Sequence, residues 1–226
     1  MPERQIVAVG GHSPEVFEQL LDLVGPSPRL LWVGTAGAED PWEALRVYDQ
    51  LRRRADISRL EFFPWPPADL RDLVLSQDVV LVGGGNTANM LAIWRVHGFD
   101  ALLREAWEQG IVLAGWSAGM ICWFEAGVTD SFGPQLAGMT DGLGLLPGSA
   151  CPHYDGEERR RPVYQRLVAD SFPPGYAADN GVALHFVGTE LADVWTTREG
   201  ATAYRVERGG ETPLAARVVS RRGDAI

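Results

Sequence analysis

Apolar residues in the first half of the chain fall into short unbroken runs, separated by stretches with helical spacing. Residues 5–10 (QIVAVG) form an apolar, β-branched run that stops at a glycine pair, the pattern of a buried strand. In 14–24 the apolar side chains Val16, Phe17, Leu20, Leu21 and Val24 recur every three or four positions, behind Ser13 as N-cap and Pro14 at the first helical position. The alternation repeats, with strands predicted at 30–33, 60–63, 79–82 and 111–114, and helices at 42–54, 68–76, 87–96 and 101–109. Strands apolar on both faces belong to parallel sheets covered by helices. The expected fold is therefore α/β, a doubly wound mostly parallel sheet flanked by helices.

The pattern changes after residue 117. One helix is predicted, at 162–170, and strands at 182–187, 193–197, 201–207 and 214–220 follow at hairpin spacing. This predicts a C-terminal antiparallel strand extension at one end of the sheet. No stretch reads as a linker, so 1–226 is expected to form one domain.

Composition narrows the chemistry. The chain has 226 residues, 20 cationic side chains and 30 acidic ones, for a net charge of −10. All the cations are arginine. Without lysine there is no P-loop, no lysine Schiff base and no Ser–Lys dyad. The acidic balance argues against nucleic acid or an anionic membrane as partner. Two cysteines make no disulfide framework, the first residues do not read as a signal peptide, and no apolar run is long enough to span a bilayer. A cytoplasmic protein without cofactor or metal is the expectation.

The strongest local signal is Gly115-Trp-Ser117-Ala-Gly119, which follows an apolar strand and precedes an apolar helical pattern. That is G-x-S-x-G in its strand–turn–helix context, where a sharp turn lifts a serine hydroxyl toward free N–H groups at a helix start. A serine nucleophile needs a base. Among the four histidines, His153 in Cys151-Pro-His-Tyr-Asp155 has the most suitable context, a loop after an apolar run. The acid that would orient it is chosen from Glu125, Asp130, Asp141 and Asp155. A helix continuing from Ser117 to Glu125 would carry that carboxylate roughly 12 Å away, which favours Asp130 beyond the helix and keeps Glu125 as the alternative. The cluster Gly83-Gly-Gly-Asn-Thr87 follows the fourth strand, where the Gly85 N–H can join that of Ala118 as an oxyanion hole. It lacks the spacing of a dinucleotide fingerprint.

Together these residues resemble peptidase family S51, whose members include aspartyl dipeptidase and cyanophycinase. The matching features are Gly83-Gly-Gly-Asn-Thr87, Gly115-Trp-Ser-Ala-Gly119, the stretch around Asp130, Gly142-Leu-Gly-Leu-Leu-Pro147 and Pro152-His-Tyr154. The resemblance implies a fold like that of class I glutamine amidotransferases and a serine peptidase acting on dipeptides with N-terminal Asp. It implies a triad of Ser117, His153 and Asp130, oxyanion donors Gly85 and Ala118, and substrate contacts from Asn86, Thr87 and Arg161. Two other readings stay open: an α/β-hydrolase-type esterase, and an amidotransferase-like binding or regulatory protein without hydrolytic activity. The stretch between Ser117 and His153 is short for the esterase. The apolar C-terminal strands and eight tryptophans leave room for a homodimer.

Overall fold

A computed structural model describes residues 3–219. The first half lays down five strands: β1 (Gln5–Val9), β2 (Arg29–Val33), β3 (Asp56–Leu60), β4 (Val79–Val82) and β5 (Val112–Trp116). They pair in parallel in the order β1-β5-β4-β2-β3. Between them run α1 (Pro14–Val24), α2 (Pro41–Leu51), α3 (Leu70–Leu75), α4 (Thr87–Val96) and α5 (Phe99–Glu108). Because successive strand residues point to opposite faces, Val7 and Val9 pack with Phe17, Leu20 and Val47 of α1 and α2. Ile6 and Ala8 belong to the opposite core, with Met90, Trp94 and Leu103 of α4 and α5. Ser13 caps α1, with the Val16 N–H donating to its hydroxyl, and Asp40 caps α2 through Trp42.

Beyond β5 lie α6 (Ala118–Ile121), β6 (Phe124–Thr129), β7 (Ala137–Met139), β8 (Leu146–Cys151), α7 (Arg160–Ala169), β9 (Gly175–Ala178), β10 (Val182–Val187), β11 (Glu190–Thr196), β12 (Ala203–Glu207), β13 (Gly210–Pro213) and β14 (Arg217–Val218). β10 joins β1 antiparallel, and β11 and β14 follow it, extending the main sheet to eight strands. The other six strands form a second sheet, β13-β12-β9-β8-β6-β7. Phe124, Leu146, Ala150 and Ala178 of that sheet join the main core, while Val128, Cys151 and Ala177 pack with Tyr164 and Val168 of α7.

The α/β class, the mostly parallel sheet and the antiparallel extension at its C-terminal side agree with the sequence reading. The second sheet does not appear in it. The strand expected at 201–207 leaves the main sheet for the second one, and the region after Ser117 contributes β6 to β9 rather than a long helix. These strands are short, and segments such as LPGSAC carry Pro and Gly, so their pattern has no clean period. β3 begins four residues earlier than expected because an edge strand needs only one apolar face. The expected strand end at Ser220 lies outside the described residues. Among the described residues no helix is long and apolar enough to cross a membrane.

Candidate active site

Ser117 sits between β5 and α6 with φ 57° and ψ −110°, a backbone conformation that non-glycine residues seldom adopt. Its N–H donates to Val9 O at 3.1 Å, which anchors the turn to the neighbouring strand. α6 has only four residues and ends at Ile121, so the chain enters β6 well before Glu125. The Ser117 hydroxyl caps no helix; it lies 2.9 Å from His153 Nε2.

His153 follows β8 and also has positive φ, at 54°. Its backbone N–H donates to Gly10 O at 3.0 Å, so the second sheet delivers the ring to the end of the first. Its other ring nitrogen, Nδ1, is 2.7 Å from Asn180 Oδ1. An amide oxygen only accepts, so Nδ1 carries the proton and Nε2 is left to accept from the Ser117 hydroxyl. Asn180 occupies the turn between β9 and β10, where the chain crosses from one sheet to the other. Its N–H donates to Asp155 Oδ1 at 2.8 Å, Arg198 Nε donates to its carbonyl at 3.3 Å, and Arg198 is ion-paired with Asp155. Gly11 makes room for the amide: a Cβ there would overlap Asn180 Oδ1 and lie 3.3 Å from His153 Nδ1.

The expected carboxylates are not at this histidine. Asp130 is exposed at the end of β6, and among the described residues its side chain has no hydrogen bond or ion pair. Glu125 is exposed and accepts from the Gly148 N–H at 2.8 Å. Asp141 pairs with Arg95. α6 stops early and the chain turns into the second sheet, and the ring nitrogens of His153 are bonded to Ser117 and Asn180 rather than to Glu125 or Asp130. Sequence reasoning searched for an acid and so passed over Asn180. The available signal was the turn Asp179-Asn-Gly181 between two apolar runs.

The glycine loop lies where it was expected. β4 is hydrogen-bonded to β5, and a Cβ on Gly84 would lie 3.2 Å from Ser117 Cβ. Gly85 has φ 133°, and a Cβ there would overlap the Ala36 carbonyl, so only glycine fits. Among the described residues the N–H groups of Gly85 and Ala118 donate to no protein acceptor. Asn86 is already engaged: its Oδ1 accepts from the Asn89 N–H at 2.9 Å, and its Nδ2 donates to Ser131 O at 3.0 Å. Thr87 is buried, and its hydroxyl has no partner among the described residues. Asn86 therefore caps the start of α4 in this structure.

Arg161 is held too. Its guanidinium stacks on Tyr154 and Tyr204, at 5.2 Å and 4.8 Å from the ring centroids, and pairs with Glu211. Glu211 also accepts from Tyr154 Oη at 2.6 Å and Gln165 Nε2 at 2.8 Å. Burial opposes ionisation of Glu211, but the bonds from Arg161, Tyr154 and Gln165 outweigh it and hold the carboxyl below its ordinary range. Next to Asn180, burial pushes the Asp179 carboxyl up, against the stabilising hydrogen bond from the Thr202 N–H. Among the described residues no group of three or more His, Cys, Asp or Glu side chains is gathered as a metal site needs.

The comparisons point one way. A family model described as peptidase family S51 matches residues 6–194. The chain is 45% identical over 213 residues to the uncharacterized peptidase YgaJ of Bacillus subtilis, covering 90% of this chain and 92% of that protein. It is 31% identical over 157 residues to peptidase E of Shewanella denitrificans, covering 66% of each. Among solved structures, a peptidase from an acI-B1 Actinobacterium superposes with a TM-score of 0.69 at 18% identity, over 96% of both chains. A putative peptidase E from Listeria monocytogenes gives 0.63 at 18% identity, over 84% of this chain and 97% of that one. At that identity the two structures speak for a shared fold.

Proposed function

Because the chain belongs to peptidase family S51, and is to that extent a peptidase, we propose that it hydrolyses small peptides, dipeptides with N-terminal Asp first among them, through a covalent intermediate on Ser117. The observation that carries this is the 2.9 Å contact between the Ser117 hydroxyl and His153 Nε2, at a strained strand-to-helix turn. His153 takes the hydroxyl proton as Ser117 Oγ attacks the scissile carbonyl carbon. The oxyanion forms toward the N–H groups of Gly85 and Ala118. His153 then gives its proton to the leaving amine, which departs and leaves an acyl-enzyme. A water attacks the ester, His153 takes its proton, and Ser117 is regenerated when the acid leaves. General acid–base help of this kind is worth about 10²–10⁴-fold, and one oxyanion donor roughly 3 kcal/mol.

Asn180 enters as a positioning residue. By accepting from Nδ1–H it holds the tautomer and ring orientation that the reaction needs, without supplying a full negative charge. The Asp preference rests on the family resemblance. If Arg161 reads the substrate carboxylate it must give up Glu211, since that carboxylate already holds it.

The test is a panel of dipeptides with Asp, Glu, Asn or Ala in first position, hydrolysed by the wild type and by Ser117→Ala. The reading predicts fastest turnover of Asp-X and a loss of at least about 10³-fold in the variant. Asp-X cleavage that survives Ser117→Ala contradicts the nucleophile, and faster cleavage of Ala-X than Asp-X contradicts the substrate.

A further inference from the structure

A helix that covers a sheet needs one apolar stripe, and α2 has two. Val47 and Leu51 pack into the core. Trp42, Leu45 and Tyr48 recur every third residue, so they adjoin on the helix surface, and they are 68%, 49% and 49% exposed. Phe63 and Trp65, just after β3, are 60% and 76% exposed. The two segments meet, because the Glu39 carboxylate, one residue before the N-cap of α2, accepts from the Phe62 and Phe63 N–H groups at 2.6 Å and 3.3 Å. The six other tryptophans are all buried.

The size of this surface is informative. Four aromatic side chains exposed by half to three-quarters, with Leu45, amount to roughly 500 Å² of apolar surface. One partner in a standard interface contributes about 800 Å², a little over half of it apolar. The charges around it say which partner. Residues 39–61 carry six carboxylates and five arginines, so this surface is close to neutral and escapes the mutual repulsion of two chains at −10. The charges are also ordered, with Glu39, Asp40 and Glu43 at the start of α2 and Arg52 and Arg53 at its end. Two copies of α2 laid antiparallel about a two-fold axis at Leu45 set Trp42 of one against Tyr48 of the other. The same axis brings each basic end beside an acidic start and opposes the two helix dipoles. A patch complementary to itself is what an isologous dimer requires, and an unrelated partner would need no such symmetry.

We propose that this face binds a second copy of the chain, α2 against α2 in antiparallel, as a two-fold dimer centred on Leu45.

The experiment is sedimentation velocity on the full chain across the micromolar range, paired with a cysteine scan. The wild type is expected to sediment as a dimer. Leu45→Arg, which sets two like charges on the axis, should raise the dimer dissociation constant at least about thirtyfold, with an unchanged far-ultraviolet circular dichroism spectrum. On the axis residue 45 faces its own copy, so Leu45→Cys should close a disulfide between chains in air. Val218→Cys is the control, exposed on β14 at the opposite edge of the main sheet from β3, and should remain uncrosslinked. The native Cys122 and Cys151 are buried and take no part. A wild type that stays monomeric overturns the proposal. So does a dimer that Leu45→Arg leaves intact, or one in which Leu45→Cys crosslinks no more than Val218→Cys.

Discussion

Asn180 decides how His153 is presented to Ser117. The amide oxygen at 2.7 Å from Nδ1 can only accept, so one hydrogen bond fixes which ring nitrogen is free to act as base. Removing it in Asn180→Ala should lower kcat about tenfold, the worth of a hydrogen bond of roughly 1.4 kcal/mol, with KM for the same peptide nearly unchanged. In parallel assays Asp130→Asn and Glu125→Gln should stay within about twofold of wild type, because neither side chain has a bond to the histidine. A larger loss in either carboxylate variant than in Asn180→Ala would return the orienting role to an acid. Ser117 and His153 were legible in the sequence because their residue types are chemically singular and their contexts are short-range. Asn180 was not: its role depends on a contact across 27 residues, and an asparagine in a turn reads as turn chemistry.

The elements that hold this geometry belong to two sheets. Ser117 ends a strand of the first, His153 follows a strand of the second, and Asn180 lies on the crossover between them. The crossover is tied by Asp155, which accepts from the Asn180 N–H and pairs with Arg198. Asp155→Asn should therefore reduce kcat several-fold without touching substrate, and Asn180→Ala in that background should cost less than it does alone. Fully additive effects in this double-mutant cycle would mean the turn is rigid without Asp155. Elements with one dominant period were readable from the chain: β4 and α4 have the bounds that apolar run and helical spacing predict. β6 to β9 were not, since three to six residues with Gly and Pro offer no period to read. Glu125 was set aside on the condition that a helix from Ser117 reached it, but α6 ends at Ile121.

For the whole molecule, the arginine-only cation set and the net charge of −10 set the field that the proposed Asp-bearing peptide would meet. Recognition of such a peptide would then depend on short-range contacts rather than steering. Stability should respond to pH through His185, which is buried in β10 against Trp195 with Nε2 2.8 Å from Gln5 Oε1. Burial lowers its pKa in the fold, partly offset by Asp193 and Glu3. The unfolded chain then binds a proton at higher pH than the folded one. His185's contribution is complete above the ordinary histidine range and is lost as pH falls through about 6.5, at up to roughly 1.4 kcal/mol per pH unit. Melting temperatures between pH 7.5 and 5.5 should decline in the wild type and decline less in His185→Gln. Parallel slopes would remove His185 as a source. The broad fold was readable at this scale because a parallel α/β sheet announces itself in apolar runs, whereas the sharing of strands between two sheets depends on long-range pairing.

The central claim is that His153 activates Ser117 as a nucleophile, and fluorophosphonate labelling of the folded protein followed by peptide mapping tests it most directly. The account predicts a single adduct on Ser117, absent in Ser117→Ala and slowed by at least about 10²-fold in His153→Ala. An unlabelled Ser117, or labelling whose rate is indifferent to His153, would contradict it.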